Sequence, residues 1–354
     1  MIDFRYHLVS IVAVFLALAI GIVVGSTALK PAVLSGLQKT ASAEKKRIDA
    51  LYAQNRLSQN ELNAAQAYAQ AGEHQALNGL LDGQRVVLVT APGFPGGVVT
   101  GVSSALTMAG ATVSGQVQLQ SQFFATGTQS DLDTLNRQQT PAGVTLRAGT
   151  PQAQAGELIA SAILTKNGPT DPLPGVADAA GKSILNGYAA GGFLSTSGNP
   201  AARATLAVVI IPGTPPATSG ASSASQTLVT VAQQLNLAGN GTVVAGQVAG
   251  SGTGSAIDLL RSGGRSDHFS SVDDADYTTG QIVVVQALYE QMTRGRSGNY
   301  GSLATATAAA PSPAPSPSPP PSSTATATAK QSASPRRTAR ASAHPDTTPS
   351  ASAR

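Results

Sequence analysis

The chain of 354 residues contains no cysteine and no tryptophan, and aromatic residues make up only 4% of it. Without cysteine there are no disulfides, no thiolate metal ligands and no thiol redox chemistry. With so few rings, the core has to be built from alanine, valine, leucine and isoleucine. Charge is scarce too, at 11%. The formal net charge of +4 belongs to the end of the chain. Residues 1–303 hold 17 Lys+Arg against 17 Asp+Glu, whereas 304–354 holds Lys330, Arg336, Arg337, Arg340 and Arg354 against Asp346 alone. The body is therefore neutral and has no basic face interleaved with aromatics, which argues against nucleic acid as a partner. The four histidines, His7, His74, His268 and His344, include no pair at metal-ligand spacing. The three methionines, Met1, Met108 and Met292, form no cluster.

What the chain does have is one long apolar run. Leu8 to Leu29 (LVSIVAVFLALAIGIVVGSTAL) carries no charge over 22 residues. At about 1.5 Å per residue it is long enough to cross a hydrocarbon core of roughly 30 Å as a single helix. Arg5 in a short leading segment and the small-x-small pattern Ala17-Leu18-Ala19 are signal-peptide features. The unbroken apolar stretch Ile11 to Gly25 exceeds the usual signal core of about 7–15 residues, which favours an uncleaved anchor. Lys30, Lys39, Lys45, Lys46 and Arg47 follow the run and would hold it with the C-terminus inside. Short leading segments usually stay inside, however, and long domains translocate regardless of charge. The expected arrangement is a membrane-anchored envelope protein in contact with lipid, with its main domain outside the cytoplasm.

Residues 1–30 are thus the leading segment and span, and 31–80 read as a helical stalk. Pro31 suits the first turn of a new helix. From Leu34 a heptad repeat places Leu34, Ala41, Ile48, Asn55, Leu62 and Ala69 at a, and Leu37, Glu44, Leu51, Ser58 and Ala65 at d. Asn at an a position fixes the register of a parallel dimer at a cost in stability. Leu34, Leu37, Ile48, Leu51, Asn55 and Leu62 are the expected self-association residues of a homo-oligomeric coiled coil. The competing reading is a single amphipathic helix packed on the domain.

Residues 81–303 read as one α/β domain with a mostly parallel sheet and flanking helices. Arg85 to Thr90 is a continuous apolar strand, the kind buried on both faces. A loop, Ala91 to Gly97 (APGFPGG), a helix from Val98 to Ala109 and a strand from Thr112 to Leu119 follow. The same order recurs in Thr205–Ile211, Pro212–Ser219, Ser225–Leu237 and Thr242–Ala245. These are two βαβ-like units, 85–120 and 204–250. Asp131–Arg137, Ala153–Leu164, Ser183–Ala190 and Gly280–Met292 read as further helices. Residues 304–354, rich in Ala, Pro, Ser and Thr, have the composition of a disordered tail.

Chemistry-bearing motifs are sparse. The Gly-rich loops Ala91–Gly97 and Gly250–Ser255 follow or precede regular elements as phosphate loops do. Neither completes a fingerprint: the final glycine of G-x-G-x-x-G falls on Ser255 or Ile257, and no Lys-Ser/Thr follows. Turn chemistry explains them better than a nucleotide, and no cofactor is expected. His268, Asp273, Asp274 and Asp276 form the densest acidic stretch and are weak metal candidates; capping or a solvated loop is the simpler reading. There is no G-x-S-x-G elbow and no legible catalytic set, so the chain is not expected to be an enzyme. A parallel sheet would still place a crevice beyond the strand ends, near Pro92–Gly97, Pro212–Pro215 and Gly246–Gly254.

Three stretches carry a resemblance. The opening D-F-R-Y-H-L-V-S-I-V-A-V-F-L-A-L-A-I-G-I-V-V-G-S (Asp3–Ser26), the closing S-V-D-D-A-D (Ser271–Asp276) with G-Q-I-V-V-V-Q-A-L (Gly280–Leu288), and G-N-Y-G (Gly298–Gly301) resemble the mycobacterial copper transport protein B (MctB) family. The resemblance covers Met1 to Gly301 and implies an actinobacterial cell-envelope protein of copper homeostasis, proposed to form an outer-membrane pore, with copper ion as a possible partner. It carries over no catalytic or metal residue. Outer-membrane barrels need many alternating strands of about 10 residues, whereas this chain has one apolar span and continuous strands. Two other functions fit the same sequence: an envelope scaffold acting through its coil, and a tethered α/β ligand-binding or hydrolytic domain.

Overall fold

The computed structural model describes residues 3–166, 178–214, 219–263 and 269–315; side chains at residue 3, 27–34 and 219–222 lie outside the description. The first element is a single helix, α1, Asp3–Leu77. It does not restart at Pro31. Proline's locked φ is compatible with the helix; it removes one backbone hydrogen bond and crowds the preceding turn, yet the apolar span and the stalk run together as one helix. The helix long and apolar enough to cross a membrane is Phe4–Ser26, four residues earlier than the uncharged run begins.

Behind α1 come β1 (Arg85–Thr90), α2 (Gly96–Met108), β2 (Thr112–Leu119), α3 (Ser121–Phe124), α4 (Gln129–Gln139), α5 (Pro151–Ile163), α6 (Ala179–Ala190), β3 (Leu194–Gly198), β4 (Leu206–Ile210), α7 (Ser219–Ala238), β5 (Gly241–Ala245), α8 (Ala256–Ser262), β6 (Ser270–Val272), α9 (Thr278–Arg294) and β7 (Asn299–Tyr300). The strands form one seven-stranded sheet in the order β3-β2-β1-β4-β5-β6-β7. Every neighbouring pair is parallel except β2 with β3. Both βαβ units are present, β1-α2-β2 and β4-α7-β5, and they meet back to back where β1 pairs with β4. Strand order reverses at that seam, which makes it the switch point of a doubly wound sheet.

Two cores sandwich the sheet. On one face Phe123, Leu132, Leu158, Ile159, Tyr188, Leu235 and Leu260 pack under the central strands. On the other, Leu77, Leu81, Val102, Leu106, Val284 and Leu288 do so. β1, β4 and β5 are buried on both faces, which is why they read as unbroken apolar runs.

The stalk divides near Leu62. Residues 35–61 are exposed on every side, whereas Leu62, Gln66, Ala69, Glu73 and Ala76 are partly buried and Leu77 fully so. This last stretch docks on α9 and α2. Gln66 accepts a hydrogen bond from the Thr278 amide at 2.8 Å and donates to Thr279 Oγ1 at 3.4 Å. The heptad a positions Leu62 and Ala69 therefore face the chain's own domain. The amphipathic-helix reading holds for the lower part of α1; a coiled coil is not seen in the single chain.

The packed body also runs past residue 303. Thr307 donates its amide to Asn299 O at 2.8 Å, Tyr300 bridges to Ala308, Ala310 packs on the second core and Pro311 is buried. Composition alone misplaces this boundary, because the segment is held by side chains elsewhere. Residues 316–354, most of the expected tail, lie outside the described residues.

Candidate functional site

The carboxyl edge of the sheet, where doubly wound folds bind ligands, gathers the three loops singled out by sequence. They come together, but on one another. Gly213 donates its amide to Gly93 O at 2.9 Å, and Gln247 Nε2 donates to Gly213 O at 2.6 Å. A Cβ added at Gly250 would lie 2.2 Å from Pro212 O. Gly93 takes φ +74, which lets the Pro92-Gly93 turn reach across. The chain's own loops thus occupy the crevice above β1 and β4.

The second Gly-rich run is equally committed. Ser255 is the N-cap of α8 and accepts from Asp258 N at 3.1 Å, while Asp258 Oδ2 accepts from Gly254 N at 2.8 Å. This reciprocal capping uses the donors a phosphate would need. Turn and cap chemistry is what Gly250–Ser255 performs.

The acidic turn Asp273–Asp276 follows β6 at the same edge. Asp273 is fully buried and both its oxygens are engaged. Oδ2 pairs with Arg261 at 2.7 Å; Oδ1 accepts from Ser302 N at 2.8 Å and Leu303 N at 3.3 Å. Arg261 also donates to Ser271 Oγ, Thr305 Oγ1 and Tyr300 O. Nearby, Glu290 pairs with Arg296 at 2.6 Å and accepts from the Tyr300 hydroxyl. Arg296 and Arg294 donate in turn to the carbonyls of Ser312 and Pro313. The network is a clamp on residues 300–313. Arg261 and Glu290 were not legible as members because their partners lie 10 to 44 and 6 to 10 residues away along the chain; the local signal is an arginine in the last turn of α8.

Asp273 and Asp276 do not converge on a cation site, and no acidic side chain of the turn caps α9: its N-cap residue, Tyr277, makes no side-chain cap bond, and the first helical amide, Thr278 N, is held by Gln66 instead. Among the described residues no group of three His, Cys, Asp or Glu side chains is placed to hold a metal ion. His268 lies outside them.

Asp274 is the exception within the turn. Its Oδ1 is buried without a partner, and burial, then the charge of Asp273, raises its pKa to about 6. The folded value lies above the unfolded carboxylate value of about 3.9, so the native state holds the extra proton between roughly pH 4 and 6. Stability from this group accordingly rises as pH falls through 6 and levels off near 4. Asp274→Asn is expected to raise the melting temperature at pH 7 and to flatten its rise between pH 7 and 5. An unchanged pH profile in thermal melts would remove Asp274 as its source.

The self-association residues are set apart from this edge. Leu37, Ile48, Leu51 and Asn55 are exposed on the free part of α1, and Leu62 is partly buried against the body. The Leu34 side chain lies outside the description.

Comparison with known proteins gives this architecture a family. The family model for MctB, described as a copper transport outer membrane protein, matches residues 1–311, from the apolar span into the clamped segment. A Mycobacterium tuberculosis protein named copper transporter MctB is 28% identical over 306 residues, covering 85% of this chain and 96% of its own length. Its Mycobacterium leprae namesake is 30% identical over 310 residues with the same coverage. The match runs from residue 1 to residue 311, through span, stalk and sheet and into the clamped segment, and the chain belongs to the MctB family.

Proposed function

We propose that this chain acts in copper homeostasis of the cell envelope, as a non-enzymatic protein tethered by α1 with its α/β body outside the cytoplasm. The observation that carries this reading is the match of residues 1–311 to the family model and of 85% of the chain to relatives named copper transporters. Among the described residues, lipid compatibility is confined to one helix. The sheet is open, largely parallel and covered by apolar cores on both faces, whereas a lipid-facing barrel is closed and antiparallel with a polar interior. These features favour a conduit for copper made of assembled spans or supplied by another protein, with this body as an accessory. The body also lacks the cysteine and clustered methionine that hold copper(I), and this reading requires no resident copper ion.

The loops packed into the crevice tell against a tethered ligand-binding or hydrolytic domain. The exposed stalk is the surface an envelope scaffold would use, and that role is compatible with the copper one. The test is cell-associated copper in a strain deleted for this gene and grown with added copper salt. Copper is expected to accumulate, and the full-length gene to return it to the parental level. Equal copper in deleted and parental cells would overturn the proposal.

A further inference from the structure

Residues 35–61 of α1 form a helix with no side covered. Helical stability in proteins comes mostly from packing of an apolar face, and the a and d positions here carry Leu37, Ile48 and Leu51, with Ala41, Glu44, Asn55 and Ser58 weakening the seam between and beyond them; Leu37 is 68% and Leu51 57% exposed. Below it, from Leu62, the same face is covered by α9 and α2. Among the described residues, one helical stripe thus has its own domain as partner at the lower end and none at its a and d positions above.

We infer that a second copy of this chain covers the upper part, as a parallel, in-register two-stranded coil over Leu37–Ser58, about 30 Å long. The inference rests on the reading that Phe4–Ser26 remains in the membrane. Two copies of a single-span chain insert with the same orientation, so their stalks run side by side in the same direction. Confinement to a bilayer also raises the effective concentration at which they meet. Ile48 at a with Leu51 at d is the combination that favours two strands, and Asn55 at the next a position finds its counterpart only in register. In that register Arg47 at g faces Tyr52 of the partner subunit at e, which places a guanidinium beside a ring on both flanks of the Ile48–Leu51 layer. Both side chains are exposed in the single chain. The coil stops at Ser58 because the following a position, Leu62, is committed to the body.

The absence of cysteine makes the test clean. Single substitutions Ile48→Cys, Leu51→Cys, Asn55→Cys and Ser58→Cys are placed in the full-length protein in native membranes, with Ala53→Cys at the outward f position as control. After mild oxidation the four core positions are expected to give disulfide-linked dimer, exceeding the f position by roughly tenfold or more, since only core Cβ atoms approach within bonding range. Linking at one position alone would indicate an antiparallel crossing and overturn the inference. So would equal, low linking at all five in protein that remains in the membrane fraction, which leaves the tether intact. Recovery of the protein in the soluble fraction after alkaline washing would overturn the tether and the inference together.

Discussion

Asp273→Ala is expected to destabilise the body by about 3–5 kcal/mol, the usual consequence of removing one partner from a buried ion pair. Arg261 would be left 3% exposed with its charge uncompensated, and the amides of Ser302 and Leu303 would lose their acceptor. For a body of this size the melting temperature should fall by roughly 10 °C. Most of the damage should be local to 300–313, because the same residues orient that segment: hydrogen exchange at Ser302 and Leu303 should accelerate more than at β1. Replacing both partners by apolar residues, Arg261→Met with Asp273→Leu, should recover part of the loss, since no charge is then stranded. Equal melting temperatures for Asp273→Ala and the native chain would show that the pair does not hold the clamp.

Gly250→Ala should destabilise by about 1–3 kcal/mol, and Gly252→Ala, two residues along the same Gly-rich run, by less than about 0.5 kcal/mol. The contrast follows from placement. A methyl at Gly250 meets the backbone carbonyl of Pro212 at 2.2 Å, which cannot rotate away, whereas nothing lies within 4 Å of the corresponding position at Gly252. Pushing Pro212 aside would also disturb the Gly213–Gly93 and Gln247–Gly213 bonds that fill the crevice. Chemical denaturation of the two variants reads this directly. A nucleotide-type loop would behave differently, because both glycines would be free to accept a small side chain in the absence of ligand. Equal tolerance at the two positions would mean that the crevice is open.

These two effects mark where the sequence was legible and where it was not. β1, β4 and β5 could be read from their apolar runs, because burial on both faces writes a local pattern; β2 (TVSGQVQL) was legible as the strand that closes the first βαβ-like unit, and α9 was read from the spacing of Ile282, Val285, Leu288, Tyr289 and Met292, although burial extends around most of the helix. β3 (LSTSG), β6 (SSV) and β7 (NY) have no such pattern. β3 is an exposed edge that exists because β2 offers it an antiparallel partner. The acidic turn stood out as a cluster, but its chemistry was not local: Asp273 is defined by Arg261 on α8 and by amides nearly thirty residues downstream. For the same reason the ordered body extends into a segment whose composition alone reads as tail. The heptads of α1 were visible throughout, whereas the change of partner at Leu62 depends on where α9 lies. Family membership was legible from the two ends of the chain, which the match from residue 1 to 311 joins.

The most direct measurement compares two forms of this protein in copper-stressed cells of the deletion strain: the full-length chain, and the body from Ser35 onward exported behind a cleavable signal in place of the span. Cell-associated copper should return to the parental level with the full-length chain and stay high with the released body, provided both are folded and equally abundant in the envelope. Full restoration by the released body would contradict a function that depends on the tether, and failure of the full-length chain to lower copper would contradict the copper role itself.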